Sequence, residues 1–274
     1  MLQHRGGIFD RLNFTTGIFL FCDAMTQPSL APSSVASSPY RHAAYFAPKS
    51  DSLAWDLGSR WLGRCAFSGK ALTQPPIDSI DVGTFHRLTQ SPRLYGWHAT
   101  LKAPFELGIG TSLEKLQAAF TQASTIDSGP FHLELQLADV GDFLALVPRQ
   151  PSAPLNALAE RCVRELHPCA LPLSESELTR RRAGGLTSQQ ENLLQQWGYP
   201  FVMEAFQFHL TLTGSLRGVD AATRSALLAA ANDWFAPLLD HGVAIDAVTW
   251  FAQDVQGGDF RWVERFDLRP SPCA

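Results

Sequence analysis

Two segments of the chain carry the same four-residue pattern, His-x-Thr-Leu, and each stands at the head of the same order of elements. WHATLKAPF (97–105) alternates, with Trp97, Ala99, Leu101 and Ala103 pointing one way and His98, Thr100 and Lys102 the other. AFQFHLTLTG (205–214) alternates more cleanly, with Phe206, Phe208, Leu210 and Leu212 opposite Gln207, His209, Thr211 and Thr213. After the first segment, Thr111 and Glu114 stand at capping-box spacing before Leu113, Leu116 and Phe120, which predicts a helix. FHLELQLAD (131–139) and FLALVP (143–148), separated at Gly141, then read as adjacent strands. After the second segment comes an Ala/Leu-rich helix from about Asp220 to Leu239. VAIDAVTWFAQ (243–253) and DFRWVERFDL (259–268) follow as a hairpin around Gly257 and Gly258. Strand, helix, strand, strand therefore occurs twice, each copy opening on His-x-Thr-Leu, as a duplicated unit would.

The remaining segments fit around this duplication. YRHAAYFAP (40–48) reads as a strand stopped by Pro48, and Asp51 is placed to cap a helix carrying Leu53, Leu57, Trp61 and Leu62. A loop rich in Pro and Asp is expected from there to about Leu94. Residues 151–199 have helical composition, with Ser174 and Glu177 at capping-box spacing, and read as a helical insert laid over the sheets. Residues 26–39 (TQPSLAPSSVASSP) lack any period and read as a tether. The expected organisation is an extension over 1–39 and one domain over 40–274, with lobes of about 40–150 and 200–274. Met25 stands just before the tether, so the first 24 residues are open to being upstream of the natural start.

Composition narrows the function classes. The 274 residues carry 22 Lys plus Arg against 26 Asp plus Glu, a net charge of -4, which disfavours extended nucleic acid and anionic membrane as partners. Any anionic ligand must then be met by a local cluster. Five scattered cysteines (Cys22, Cys65, Cys162, Cys169, Cys273) without C-x-x-C spacing read as reduced thiols in a cytoplasmic protein. The apolar run from Gly17 to Cys22 is too short to span a bilayer.

Side chains two apart on a strand share a face, so His98 joins Thr100 and His209 joins Thr211. If the two halves pack as pseudo-symmetric lobes with the repeated strands central, two imidazoles and two hydroxyls converge on one ligand. Such a set suits a phosphoryl group. One histidine accepts a proton from the attacking oxygen, the other donates one to the leaving oxygen, and the hydroxyls hold the non-bridging oxygens. No metal or cofactor is required. A metallohydrolase is disfavoured because neither motif strand carries a carboxylate on its histidine face.

YGWHATLKAPFEL (95–107) and WGYPFVMEAFQFHLTLTG (197–214) resemble the two signature strands of the two-histidine (2H) phosphoesterases. That superfamily includes RNA 2',3'-cyclic phosphodiesterases and proteins once assayed as 2'-5' RNA ligases. With YRHAAYFAP at the start and LTRRRA before the second motif, the wording is most similar to a bacterial branch found with phosphonate-metabolism genes. The resemblance covers about residues 40–270. It implies an α+β, bilobal, pseudo-two-fold fold of two curved antiparallel sheets with outer helices and a central cleft. It also implies metal-independent opening of a cyclic phosphodiester, with His98 and His209 as the catalytic pair and Thr100 and Thr211 as phosphate-binding hydroxyls. The long insert between the motifs departs from the RNA-processing members, so their specificity does not carry over.

Further candidates for substrate contact are Lys102, on the polar face beside His98; Arg41 and Tyr45, on one face of the first strand; and Tyr95 and Tyr199, just before the motif strands. One of Arg180, Arg181 and Arg182 is expected to reach phosphate, since three successive helical residues cannot all face one way. The leading expectation is a hydrolase acting on a small cyclic phosphate of a sugar or nucleotide. Its rival is a non-catalytic module that holds RNA ends or a phosphorylated metabolite in the same cleft. The sequence carries no indication of oligomeric state.

Overall fold

The structure, a computed structural model, describes residues 39–127 and 129–270. The expectations for the extension and tether before Pro39 lie outside the described residues. In chain order the elements are β1 (Arg41–Phe46), α1 (Leu53–Leu62), α2 (Val82–Tyr95), β2 (Ala99–Phe105), α3 (Leu113–Ala123), β3 (Phe131–Leu133), β4 (Leu135–Asp139), β5 (Leu144–Pro148), α4 (Ala153–Leu166), α5 (Glu175–Arg182), α6 (Ser188–Trp197), β6 (Leu210–Thr211), α7 (Ala221–Trp234), α8 (Ala236–His241), β7 (Val243–Ile245), β8 (Ala247–Gln253) and β9 (Phe260–Asp267).

The fold is α+β, and every ladder between these strands is antiparallel. The sheets run β2-β1-β8-β9, β4-β5-β6 and β3-β7. They do not follow the sequence halves. The β8–β9 hairpin of the second copy pairs with β1, while the β4–β5 hairpin of the first copy pairs with β6. Each His-x-Thr strand is therefore the edge of a sheet completed by the other half. The expectation of central strands is corrected accordingly: β2 and β6 are sheet edges, and an edge leaves one rim open for a cavity.

Local chemistry explains most element ends. Ser52, rather than Asp51, caps α1, its Oγ accepting from the Trp55 N–H at 3.2 Å. Ser112, rather than Thr111, caps α3. Capping boxes do open α5 (Ser174 with Glu177) and α6 (Thr187 with Gln190). The expected loop before Leu94 contains a full helix, α2. Asp81 caps it by accepting from the Thr84 N–H at 2.9 Å, but its mostly polar sequence and Pro92 obscure the helical period. Buried Arg64 closes its last turn, donating to the Arg93 and Leu94 carbonyls at 3.1 Å each and also to Phe260 O.

The second motif segment was expected as one strand over 205–214, yet only Leu210 and Thr211 form a ladder. Among the described residues β6 pairs with β5 alone, and a short 3-10 turn at Met203–Ala205 precedes the unpaired stretch that leads into it. The expected strand over 131–139 breaks at Glu134, and its two pieces, β3 and β4, join different sheets.

Helix α1 clamps both motif strands. Trp97, fully buried beside His98, stacks on Phe235 at 5.4 Å and covers Gly58, where an added Cβ would lie 2.0 Å from the indole. Trp61, one turn on, donates its Nε1–H to Leu212 O at 2.9 Å, next to Thr211. Among the described residues no helix is long and apolar enough to cross a membrane. Alanine for glycine inside a helix usually stabilises by about 0.5–1 kcal/mol. Here Gly58→Ala must displace Trp97, so urea denaturation is expected to show a loss of roughly 2–3 kcal/mol. A neutral or stabilising result would contradict the clamp.

Candidate active site

Each motif histidine is oriented by the chain immediately before it. Gly96, at φ 79°, turns the chain from α2 toward β2 and directs its carbonyl at His98, whose Nδ1 lies 2.9 Å away. A side chain at Gly96 would meet both an unfavourable backbone and the Ala66 Cβ, 2.5 Å from the added atom. His209 repeats the arrangement, its Nδ1 2.9 Å from Gln207 O. A carbonyl oxygen only accepts, so each Nδ1 carries the hydrogen and each neutral ring presents a lone pair at Nε2. The Thr100 Oγ1 lies 3.3 Å from the His98 Nε2.

Both imidazoles and both threonines line one cavity of about 120 Å³, together with Arg41, Tyr45, Tyr95, Arg181 and Tyr199. Tyr45 stacks on His98 with ring centroids 3.8 Å apart. Its hydroxyl is buried and has no hydrogen-bond partner among the described residues. Tyr95 lies tilted 6.0 Å from His98. Arg41 is steered by the Gln253 Oε1, which accepts its Nε–H at 2.8 Å.

The three arginines separate as helical geometry requires. Arg180 and Arg182 are exposed, within 3.9 Å of Glu177 and 2.6 Å of Glu191 respectively, while Arg181 turns inward over the Tyr199 ring at 5.4 Å. A signal for this choice was present in the sequence. Leu178 is the sole leucine of α5, and Arg181 follows it by three residues on the same face.

Lys102 is not in this cavity. Strand β2 carries an extra residue between Thr100 and Lys102, because these pair with the consecutive residues Tyr45 and Ala44 of β1. Such a bulge reverses the alternation beyond it. Ala103 therefore lines the cavity with Thr100, and Lys102 lies buried in the wall of a neighbouring one. Ser91 and Pro92 were missed as lining residues because their helix was read as a loop.

Burial pushes the His98 pKa down to about 4, with the charge of His209 adding to the effect and the Gly96 carbonyl opposing it. Burial also lowers His209, against the bond to Gln207. It raises Tyr45 and Tyr199, keeping both phenols neutral. The permanent positive charge at the cavity comes from Arg41 and Arg181.

Residues 100–261 match the profile of the family described as "Protein of unknown function (DUF1045)". The chain belongs to the DUF1045 family. Two curated proteins named "Ribose 1,5-bisphosphate phosphokinase PhnN" are similar to this DUF1045 chain. The one from Janthinobacterium sp. (strain Marseille) is 37% identical over 82% of the chain and 50% of its own length. The one from Laribacter hongkongensis (strain HLHK9) is 34% identical over 70% of the chain and 44% of its own length. The chain thus spans about half the length of the curated relatives it matches. Among solved structures, E. coli LigT complexed with NADP+ aligns with 85% of the chain and 99% of its own length, at 17% identity and a TM-score of 0.38. A structure described as a phosphoesterase aligns at 15% identity and 0.37, over 84% of this chain and 99% of its own.

The depressed histidine has a measurable consequence. Its folded pKa of about 4 lies below the ordinary 6.5, so between those values the unfolded chain binds more protons and stability rises with pH. Buried His42, also pushed down to about 4, acts in the same window. Denaturation midpoints are expected to fall on acidification from about 6.5 toward 4, less steeply in His98→Gln. An NMR titration placing the free-protein His98 midpoint near 6.5 would contradict the assigned burial.

Proposed function

We infer that the protein is a cyclic phosphodiesterase that opens a small cyclic phosphate of a sugar or nucleotide to a phosphomonoester. The observation that carries this reading is the pair of imidazoles, each held at Nδ1 by a backbone carbonyl, sharing one cavity with two threonines.

Opening the ring needs three things of the protein. A base must take a proton from water as its oxygen attacks phosphorus, an acid must protonate the ring oxygen as the P–O bond breaks, and donors must hold the non-bridging oxygens. His98, kept neutral with its Nε2 lone pair met by the Thr100 hydroxyl, which can turn to a bound phosphate, suits the base. His209 suits the acid, because charge on one imidazole opposes charge on the other. A bound phosphate supplies the negative charge that raises imidazole pKa values, allowing one of the two to be protonated at neutral pH. Thr100 and Thr211 then donate to the non-bridging oxygens. Arg41 and Arg181 balance the charge, and the Tyr45 hydroxyl supplies a further donor.

A net charge of -4 favours a compact substrate over an extended RNA strand. The curated relatives are named for chemistry on a ribose bisphosphate. This chain covers only about half of each and contains no G-x-x-x-x-G-K-[ST] phosphate loop. We therefore take a phosphorylated sugar, rather than kinase chemistry, as what carries over, in keeping with a role in phosphonate metabolism.

The test is a panel of nucleoside 2',3'-cyclic phosphates and ribose cyclic phosphates assayed with EDTA present. Turnover is expected to persist in EDTA, to fall about 10²- to 10⁴-fold in His98→Ala and in His209→Ala, and roughly 10²-fold in Thr100→Val. Activity that survives loss of both histidines, or that vanishes with the chelator, would overturn the assignment.

A further inference from the structure

A second cavity, of about 400 Å³, adjoins the first and shares Ala103, Pro104, Arg181 and Tyr199 with it. It lies between the far end of β2 and the helical insert. Its walls are largely apolar, including Leu173, Leu194 and Trp197, but three basic side chains line it: Lys102, His167 and Arg181.

Lys102 is the unusual member. It is only 5% exposed and sits 5.0 Å from the Phe105 ring. Among the described residues it makes no ion pair with any carboxylate. The charged groups that act on it include Arg181, which repels it, and Lys102 in turn repels a protonated His167. The Nδ1 of His167 is buried without a hydrogen-bond partner among the described residues, and its ring packs edge-on against Trp197 at 5.3 Å. Burying a cation away from water is costly unless an anion meets it, and a methionine would fill the same wall without that cost. Retention of a buried ammonium here, beside a second cation and a third basic side chain, describes a site awaiting negative charge.

We propose that this cavity is a subsite for a second anionic group, of the phosphomonoester class, borne by the same small molecule whose cyclic phosphate occupies the His98–His209 cavity. Arg181, lining both cavities, lies between the two anions. The substrate is then a bis-phosphorylated sugar or nucleotide. Burial depresses the Lys102 pKa to about 8, and an incoming phosphate would restore the full charge. The assignment of which cavity takes the cyclic phosphate rests on the preceding reading, while the presence of a second anion site does not.

A binding experiment keeps the two separable, because it needs no turnover. Affinities of the full chain for adenosine 2',5'-bisphosphate and adenosine 2'-monophosphate are compared by calorimetry. The bisphosphate is expected to bind about 10- to 100-fold more tightly, the range for one charged hydrogen-bonded group. In Lys102→Met that ratio should fall toward 1, in His167→Phe it should fall several-fold, and in Lys102→Arg most of it should remain. Equal affinities in the unaltered protein, or a preference that survives both Lys102→Met and His167→Phe, would overturn the proposal. Failure of Lys102→Met to fold would leave the decision with the unaltered protein and His167→Phe. If the preference appears as expected but no cyclic phosphate is ever turned over, the subsite stands and the catalytic reading falls.

Discussion

Each of the two imidazoles depends on a single hydrogen bond from its Nδ1 to a carbonyl two residues earlier in the chain. That bond fixes the ring, assigns the tautomer and directs Nε2 away from the backbone. Everything around it serves to place two such rings at one cavity. The Gly96 turn presents one carbonyl. Arg64 pins the end of α2 just ahead of that turn. Helix α1 ties both motif strands to one rigid element through Trp97 and through the Trp61–Leu212 bond. The exchange of hairpins between halves then makes both motif strands sheet edges, which is why a cavity rather than a third strand lies beside them.

The same framework explains the electrostatics. A neutral, half-buried pair of histidines would be poor at holding phosphate alone, and β2 and β6 bring no permanent charge into their cavity. The insert and β1 do: Arg181 comes from α5 and Arg41 from β1. The insert also walls the larger neighbouring cavity where Lys102 lies. In the proposed reaction, proton transfer falls to the duplicated strands, whereas the charge that would meet phosphate comes from the insert and β1.

Much of this was legible in the sequence because it rests on period-two patterns and short-range capping. His98, Thr100, His209, Thr211, Arg41, Tyr45, Tyr95 and Tyr199 were all singled out, and all line one cavity. What was illegible depends on pairing between distant segments. The extra residue that turns Lys102 away becomes visible only once β2 is set against β1. Edge placement of the motif strands follows from hairpin exchange, which leaves no local mark. Helix α2 was hidden for a different reason: a polar surface and a proline in its last turn weaken the apolar repeat that reveals helices.

In the proposed reaction the two histidines act as separate acid and base on one phosphoryl group. The pH dependence of kcat/KM for cyclic phosphate opening tests it most directly. A bell-shaped profile is expected, its acidic limb lost in His98→Ala and its alkaline limb lost in His209→Ala, in the residual activity of each. A profile with both limbs intact in both variants would contradict it.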